Sequence, residues 1–249
     1  MSQYEGITAG DFSKSTRKRL PICFCIDTSG SMEAPTTDGK TRMDEVNNAF
    51  FGFITAMKDN EDVAASADVA VVSFGGEAKI ETNFQPIKNF NMEPFAAQHR
   101  AFTPLGESVQ VALKMLEIRK EKYKEKGMKY YQPWLVVITD GEPEGENAVE
   151  NMDIAIKQAT DLEKENKLVI FNVGIGDDVN LDILKQLSVK REQPIAVSET
   201  NLASLFEFLG ASSQSVINDE SSTDSLYNNL PSAEEVPQGA EISIDEWCI

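Results

Sequence analysis

One histidine and three cysteines are all the imidazole and thiol this chain possesses. With only His99, and with Cys23, Cys25 and Cys248 forming no Cys-x-x-Cys pair, a zinc centre of the Cys/His kind is excluded. Cys23 and Cys25 are two apart in an apolar run and share one face of a strand, a spacing at which neighbours are poorly placed to bridge, so no disulfide scaffold is expected. Positive charge is scarce as well: 23 Lys and Arg stand against 41 Asp and Glu, a net of −18. Nucleic acid and anionic membrane surfaces both call for positive charge facing phosphates, so neither is an expected partner. No apolar run approaches the ~20 residues of a membrane helix. The basic residues 17–19 followed by the apolar run 20–26 resemble a secretory leader. That run is short, contains Pro21 and ends in Asp27 without a small-residue cleavage site, so a cytoplasmic protein is expected.

What is present suffices for a core: 41% of the 249 residues are hydrophobic, and a chain of this size buries roughly 70% of its unfolded surface. Three pieces are expected. Residues 1–19 are polar and read as a flexible arm. Residues 20–212 alternate apolar runs with amphipathic segments and read as one domain. Residues 213–249 carry eight acidic side chains, no Lys or Arg, and both Pro231 and Pro237, and read as an acidic, mostly disordered tail.

Within the middle piece, residues 20–26, 69–74, 134–139 and 168–173 are apolar throughout rather than alternating. That pattern predicts strands buried on both faces of a parallel sheet. Residues 78–82 alternate after Gly75-Gly76 and predict an edge strand or hairpin arm, and 195–197 one more short strand. Helical stripes run through Met43, Val46, Asn47, Phe50, Ile54 and Met57, then through Leu105, Val109, Ala112 and Leu116 in a helix opened by Pro104 and closed near Gly127. A third stripe joins Ala148, Met152, Ala155, Ala159 and Leu162. Shorter helices are expected at 181–187 and 202–209, with Asn180 and Asn201 as N-caps. Strands alternating with helices imply right-handed crossovers and a doubly wound α/β fold, in which functional groups gather where the strands end.

The first apolar run passes straight into Asp27-Thr28-Ser29-Gly30-Ser31, the third into Ile138-Thr139-Asp140-Gly141, and Thr103 precedes the helix at 105. All three segments are expected in loops on the carboxyl edge of one sheet. Gly30 is expected to let its loop turn sharply, so that the hydroxyls of Ser29 and Ser31 face one point. Hydroxyls and carboxylates without imidazole or thiolate select a hard cation: Mg2+, with Mn2+ or Ca2+ as alternatives. Taken singly, Asp27 reads as a strand-terminating turn residue and the two serines as helix caps. Their place at the end of a buried strand, with Thr103 and Asp140 at two later strand-to-helix junctions, is what points to a metal.

Asp27-Thr28-Ser29-Gly30-Ser31-Met32, Thr103-Pro104-Leu105-Gly106-Glu107-Ser108, Ile138-Thr139-Asp140-Gly141-Glu142-Pro143 and Val173-Gly174-Ile175-Gly176-Asp177 together resemble a von Willebrand factor type A (VWA) domain with an intact metal-ion-dependent adhesion site, over residues 20–212. The resemblance implies a mostly parallel six-stranded sheet between two layers of helices. It implies that Ser29, Ser31 and Thr103 bind the metal through hydroxyls, with Asp27 and Asp140 close by, directly or through water. The wording of the motifs and the ending Leu205-Phe206-Glu207-Phe208 resemble the bacterial tellurium-resistance-type stand-alone members, which implies a part in a stress-response or defence assembly. A cation held by neutral hydroxyls keeps much of its charge, and an Asp or Glu offered by a protein partner is a good oxygen donor to it. A protein-interaction module, not an enzyme, is therefore expected.

Two other classes compete. A phosphoaspartyl phosphatase, a Mg2+-dependent hydrolase, also begins with Asp after its first strand, but it needs a second acid where Ser29 stands. No phosphate-binding Gly-Lys-Ser/Thr loop, third glycine after Gly174 and Gly176, or Gly-x-Ser-x-Gly elbow supports other chemistry, and His99 reads as a polar loop residue. A scaffold with an unused metal site is the third class. Lys114, Arg119, Lys120, Lys122, Lys124, Lys126 and Lys129, interleaved with Glu117, Glu121 and Glu125, read as a solvated helix face or as a dock for an acidic partner. Trp134 reads as packing. The chain's end at 242–249, with Trp247 among aliphatics, has the form of a docking peptide for a partner or another copy, and Asp245 or Glu246 can offer a carboxylate; the competing reading is a solubilising spacer.

Overall fold

In the computed structural model of the protein, residues 17–36, 39–176, 179–191, 193–198 and 201–218 are described. The apolar run at 20–26 becomes β1 (Leu20–Asp27), buried along its whole length. β2 (Ala67–Gly75), β4 (Trp134–Thr139) and β5 (Val169–Ile175) are buried in the same way. These strands and the short β6 (Ile195–Val197) run parallel, and β3 (Glu77–Pro86) returns antiparallel on β2 at the edge, where its side chains are partly exposed. The strand order is β3-β2-β1-β4-β5-β6. The chain therefore builds outward from β1 in one direction, then crosses back to β4 and builds in the other. The switch point of this six-stranded, doubly wound sheet lies between the carboxyl ends of β1 and β4.

Strand alternation divides the core into two layers. Leu20, Ile22, Phe24 and Ile26 pack with α1 (Arg42–Asp59) and α6 (Leu202–Ile217). Cys23 and Cys25 share the opposite face with α3 (Leu105–Glu125) and α4 (Ala148–Lys164). Phe24 sits among Phe50, Phe53 and Phe206, with ring centroids 5.2, 5.6 and 6.1 Å away, separations at which aromatic pairs attract beyond their burial. Trp134 packs edge-on against Phe171 in the same layer. Burial pushes the Cys23 thiol far above its ordinary range and Cys25 up to about 12, so both are unreactive packing residues. The short α2 (Glu61–Ser66) and α5 (Leu181–Lys185) complete the helices; Asn180 caps α5 by accepting from Asp182 N, whereas Asn201 makes no side-chain cap. Among the described residues no helix is long and apolar enough to cross a membrane.

Three expectations need correction. The boundary at 212–213 falls inside α6, because Ser213 and Val216 continue its buried stripe and Tyr131 Oη donates to the Ile217 carbonyl at 2.8 Å. Residues 1–16 and 219–249, with Trp247 and both acids beside it, lie outside the described residues. Arg19 is not part of a loose arm: it pairs with Asp68 in the interior. Nor is the basic helix face fully solvated. Arg119 reaches inward to Asp68 at 2.9 Å and to Tyr123 Oη at 3.0 Å, and Tyr123 in turn donates to Asp68. Burial opposes ionisation of Asp68, but Arg119 and Arg19 outweigh it and hold the carboxyl below its ordinary value. This charged cluster closes the amino end of the sheet, opposite the switch point.

Candidate metal centre

β1 and β4 are paired in register, so Asp27 and Thr139 end side by side. The Thr139 hydroxyl donates to Asp27 Oδ2, while Asp27 Oδ1 accepts from Ser29 N at 2.8 Å. Asp27 thus shapes the turn that follows it. Fully buried and near Asp140, its carboxyl is pushed up to about 6, with burial the chief cause and the bonds from Ser29 and Thr139 resisting it. The turn presents Ser29 Oγ 3.0 Å from Ser31 Oγ, and Ser31 Oγ donates to Asp140 Oδ1 at 2.6 Å. Ser29 and Asp140 are buried and Ser31 is exposed, so the cluster opens to solvent on the side of that residue.

Gly30 is required for a different reason from the one expected. Its φ is not positive, but a Cβ there would lie 2.8 Å from the backbone nitrogen of Arg100. The segment that approaches so closely is the long irregular stretch 90–104, which separates β3 from α3. Thr103 therefore stands at a loop-to-helix junction, not at the end of a strand. The stretch is fastened at both ends. Asn47, an amide on the apolar face of α1, donates to Phe95 O at 2.9 Å and accepts from Phe95 N at 2.8 Å. Gln98 N donates to Thr28 O, Gly76 N to Phe102 O and Glu144 N to Thr103 O at 2.7, 2.7 and 2.9 Å. These bonds seat Thr103 against the loop after β4. A Cβ built on Gly141 would lie 3.7 Å from Thr103 Oγ1 and 3.8 Å from Ser31 Oγ, so the absence of a side chain at 141 keeps the space between the two hydroxyls clear.

All five residues singled out from the sequence, Asp27, Ser29, Ser31, Thr103 and Asp140, thus converge on the switch point. The donor set is hydroxyl-rich with two carboxylates; among the described residues no three His, Cys, Asp or Glu side chains gather to hold a metal. Such a set, with a cradle that a Cβ would fill, suits a hard divalent cation. One neighbour was not foreseen: Arg42, the first residue of α1, places Nη1 2.9 Å from Asp140 Oδ2. His99 lies outside the cluster, exposed and bonded to Glu33 at 2.8 Å. On the other side of Thr103 an open cleft of about 260 Å³ is lined by Phe102, Pro104, Pro143, Glu107, Glu144 and Glu146 among others, with Phe102 59% exposed.

A sequence model described as the von Willebrand factor type A domain matches residues 22–209. The chain belongs to that family. VWA domains are metal-site-containing protein-interaction modules. This one is 26% identical over 194 residues to an uncharacterized protein of Synechocystis, an alignment covering 77% of the chain and 41% of that relative. The chain thus spans about two fifths of the curated relative it matches. Among solved structures, its fold is similar to a von Willebrand factor type A protein from Catenulispora acidiphila (TM-score 0.55, 17% identity, 79% of this chain and 43% of that one). It is also similar to proximal thread matrix protein 1 from the mussel byssus, described with a zinc-occupied MIDAS motif (TM-score 0.50, 16% identity, 78% and 48%). At these identities the likeness to solved structures concerns the fold.

Proposed function

We propose that this VWA domain is a divalent-cation-dependent protein-interaction module. Ser29, Ser31 and Thr103 would hold Mg2+, or Mn2+ or Ca2+ in its place, through their hydroxyls, with Asp27 and Asp140 beside them. Bound there, the cation supplies an open coordination position for a carboxylate of a partner's Asp or Glu. The observation that carries the reading is the convergence of three neutral hydroxyls from two separate segments, the turn after β1 and the stretch before α3, around a gap kept clear by Gly141, with Asp27 already engaged by Ser29 N and Thr139. A catalytic acid or base needs a carboxyl poised toward substrate, whereas Asp27 is buried and each of its oxygens already accepts a bond, Oδ1 from Ser29 N and Oδ2 from the Thr139 hydroxyl, which favours a positioning role. Exposed Phe102 and the cleft beside Thr103 would form part of the same docking face.

The finer assignments belong to the same proposal: a cytoplasmic bacterial protein of the tellurium-resistance type, acting in a stress-response or defence assembly, with the acidic tail as a second docking element. Ser29→Ala/Ser31→Ala and Asp27→Ala test the site. The chelator-treated wild type should gain thermal stability on addition of Mg2+ or Mn2+, and the variants should fold yet gain none. Mn2+-dependent stabilisation retained in the double serine variant would refute the assignment. Divalent-dependent phosphate release from model phosphoesters would favour a hydrolase instead.

A further inference from the structure

Arg42 stands at the first position of α1, where the helix dipole disfavours a cation. Its place is nevertheless tightly specified. Thr41 and Asp44 form a reciprocal capping box, and Arg42 N donates to Ala34 O at 3.0 Å, which staples the first turn to the segment leaving Ser31. From there the guanidinium turns inward, its side chain 12% exposed, and meets an Asp140 side chain that is 0% exposed. The two oxygens of Asp140 are thereby divided. Oδ1 accepts from Ser31 Oγ at 2.6 Å, and Oδ2 accepts from Arg42 at 2.9 Å.

This division has an electrostatic consequence. Asp140 and Asp27 are joined through Ser31 and Ser29 in one cluster, and two buried carboxylates in one site repel. Arg42 supplies a counter-charge inside the protein. That same charge stands against any cation entering among Ser29, Ser31, Thr103 and the two carboxylates, and it engages one oxygen of the carboxylate such a cation would use. Among the described residues, Asp27 and Asp140 when ionised sum with Arg42 to −1, and without the guanidinium to −2; a divalent ion is bound the more tightly the more negative its surroundings.

We propose that Arg42 is a built-in competitor of the cation. It stabilises the metal-free site through Asp140 and sets the divalent affinity of the loaded one. This rests on the metal reading above and assigns a determinant of its affinity to a residue outside the ligand set.

The test is calorimetric titration of Mn2+ into the chelator-treated full chain, alongside melting temperatures in EDTA and at saturating Mn2+. The variants are Arg42→Gln, Arg42→Met and Arg42→Lys. Both charge-removing variants should bind Mn2+ about tenfold more tightly than wild type, melt lower in EDTA, and recover most of the difference when saturated. Arg42→Lys, which keeps the charge, should stay within about threefold of wild type. Arg42→Met retains the aliphatic stem, so a folding failure of the glutamine variant does not remove the test. A merely structural arginine would weaken Mn2+ binding when replaced, so unchanged or weaker binding in the charge-removing variants, with wild type binding normally, overturns the proposal. No Mn2+ heat from wild type and variants alike overturns the metal reading itself, and Arg42's role falls with it.

Discussion

The long stretch that carries Thr103 owes its position to Asn47, and replacing that amide should show how much. Asn47→Ala removes the donor to Phe95 O at 2.9 Å and the acceptor of Phe95 N at 2.8 Å. Each such bond is worth about 0.5–1.5 kcal/mol net, and an unsatisfied donor left in a part-buried setting adds about 1 kcal/mol more, giving about 2–4 kcal/mol. In a domain of this size, where 1 kcal/mol corresponds to about 2–4 °C, the melting temperature should fall by about 4–16 °C. Phe95 packs against Phe50 at 5.4 Å, so loss of the clamp should loosen the aromatic layer as well as the loop. The loop keeps its bonds through Gln98 and Phe102, so Mn2+ affinity should weaken by about three- to tenfold without vanishing. Asn47→Asp is the informative partner variant: it retains an acceptor for Phe95 N but sets a carboxylate against Phe95 O, and should be at least as unstable as alanine. Thermal melts in EDTA and a Mn2+ titration read out both effects. An alanine variant melting within about a degree of wild type would show that the amide pair does not hold the loop.

At the other end of the sheet, Asp68→Asn leaves Arg19 and Arg119 buried without their carboxylate, and should cost about 3–5 kcal/mol by chemical denaturation. Because the folded Asp68 carboxyl lies below its ordinary value, its contribution is complete above the unfolded value of about 3.9 and is lost as pH falls toward the folded one. Wild type should therefore lose stability more steeply than the variant below about pH 4; parallel acid limbs would contradict that. Truncation after Asn218 should leave the melting temperature unchanged, whereas truncation after Ser212 removes Val216 and the Tyr131–Ile217 bond and should lower it by several degrees. Equal melting of the two truncations would place the domain's end earlier than α6 does.

The parts of this protein that were legible in its sequence are those with a local signature. Residues 20–26 and 134–139 are apolar without alternation because their strands are covered on both faces, and that burial can be read one residue at a time. Asp27, Ser29, Ser31 and Asp140 follow such runs directly, so the expected strand end placed them at the sheet edge as well. Even the odd feature of the α1 stripe, an asparagine at 47 among apolar neighbours, was visible, although its task was not.

Tertiary structure alone decided the rest, because those tasks depend on partners far along the chain. Asn47 meets Phe95 across 48 residues, Arg42 meets Asp140 across 98, and Thr139 meets Asp27 across 112. Nothing in the sequence singled out Arg42, and Arg119 looked like one among many on a basic helix. Charge pairing inside a fold leaves no periodicity to read: a side chain's sign is local, but its partner is chosen by strand order and helix placement. The sequence determined which oxygens reach the sheet edge; the fold determined that a guanidinium waits beside them.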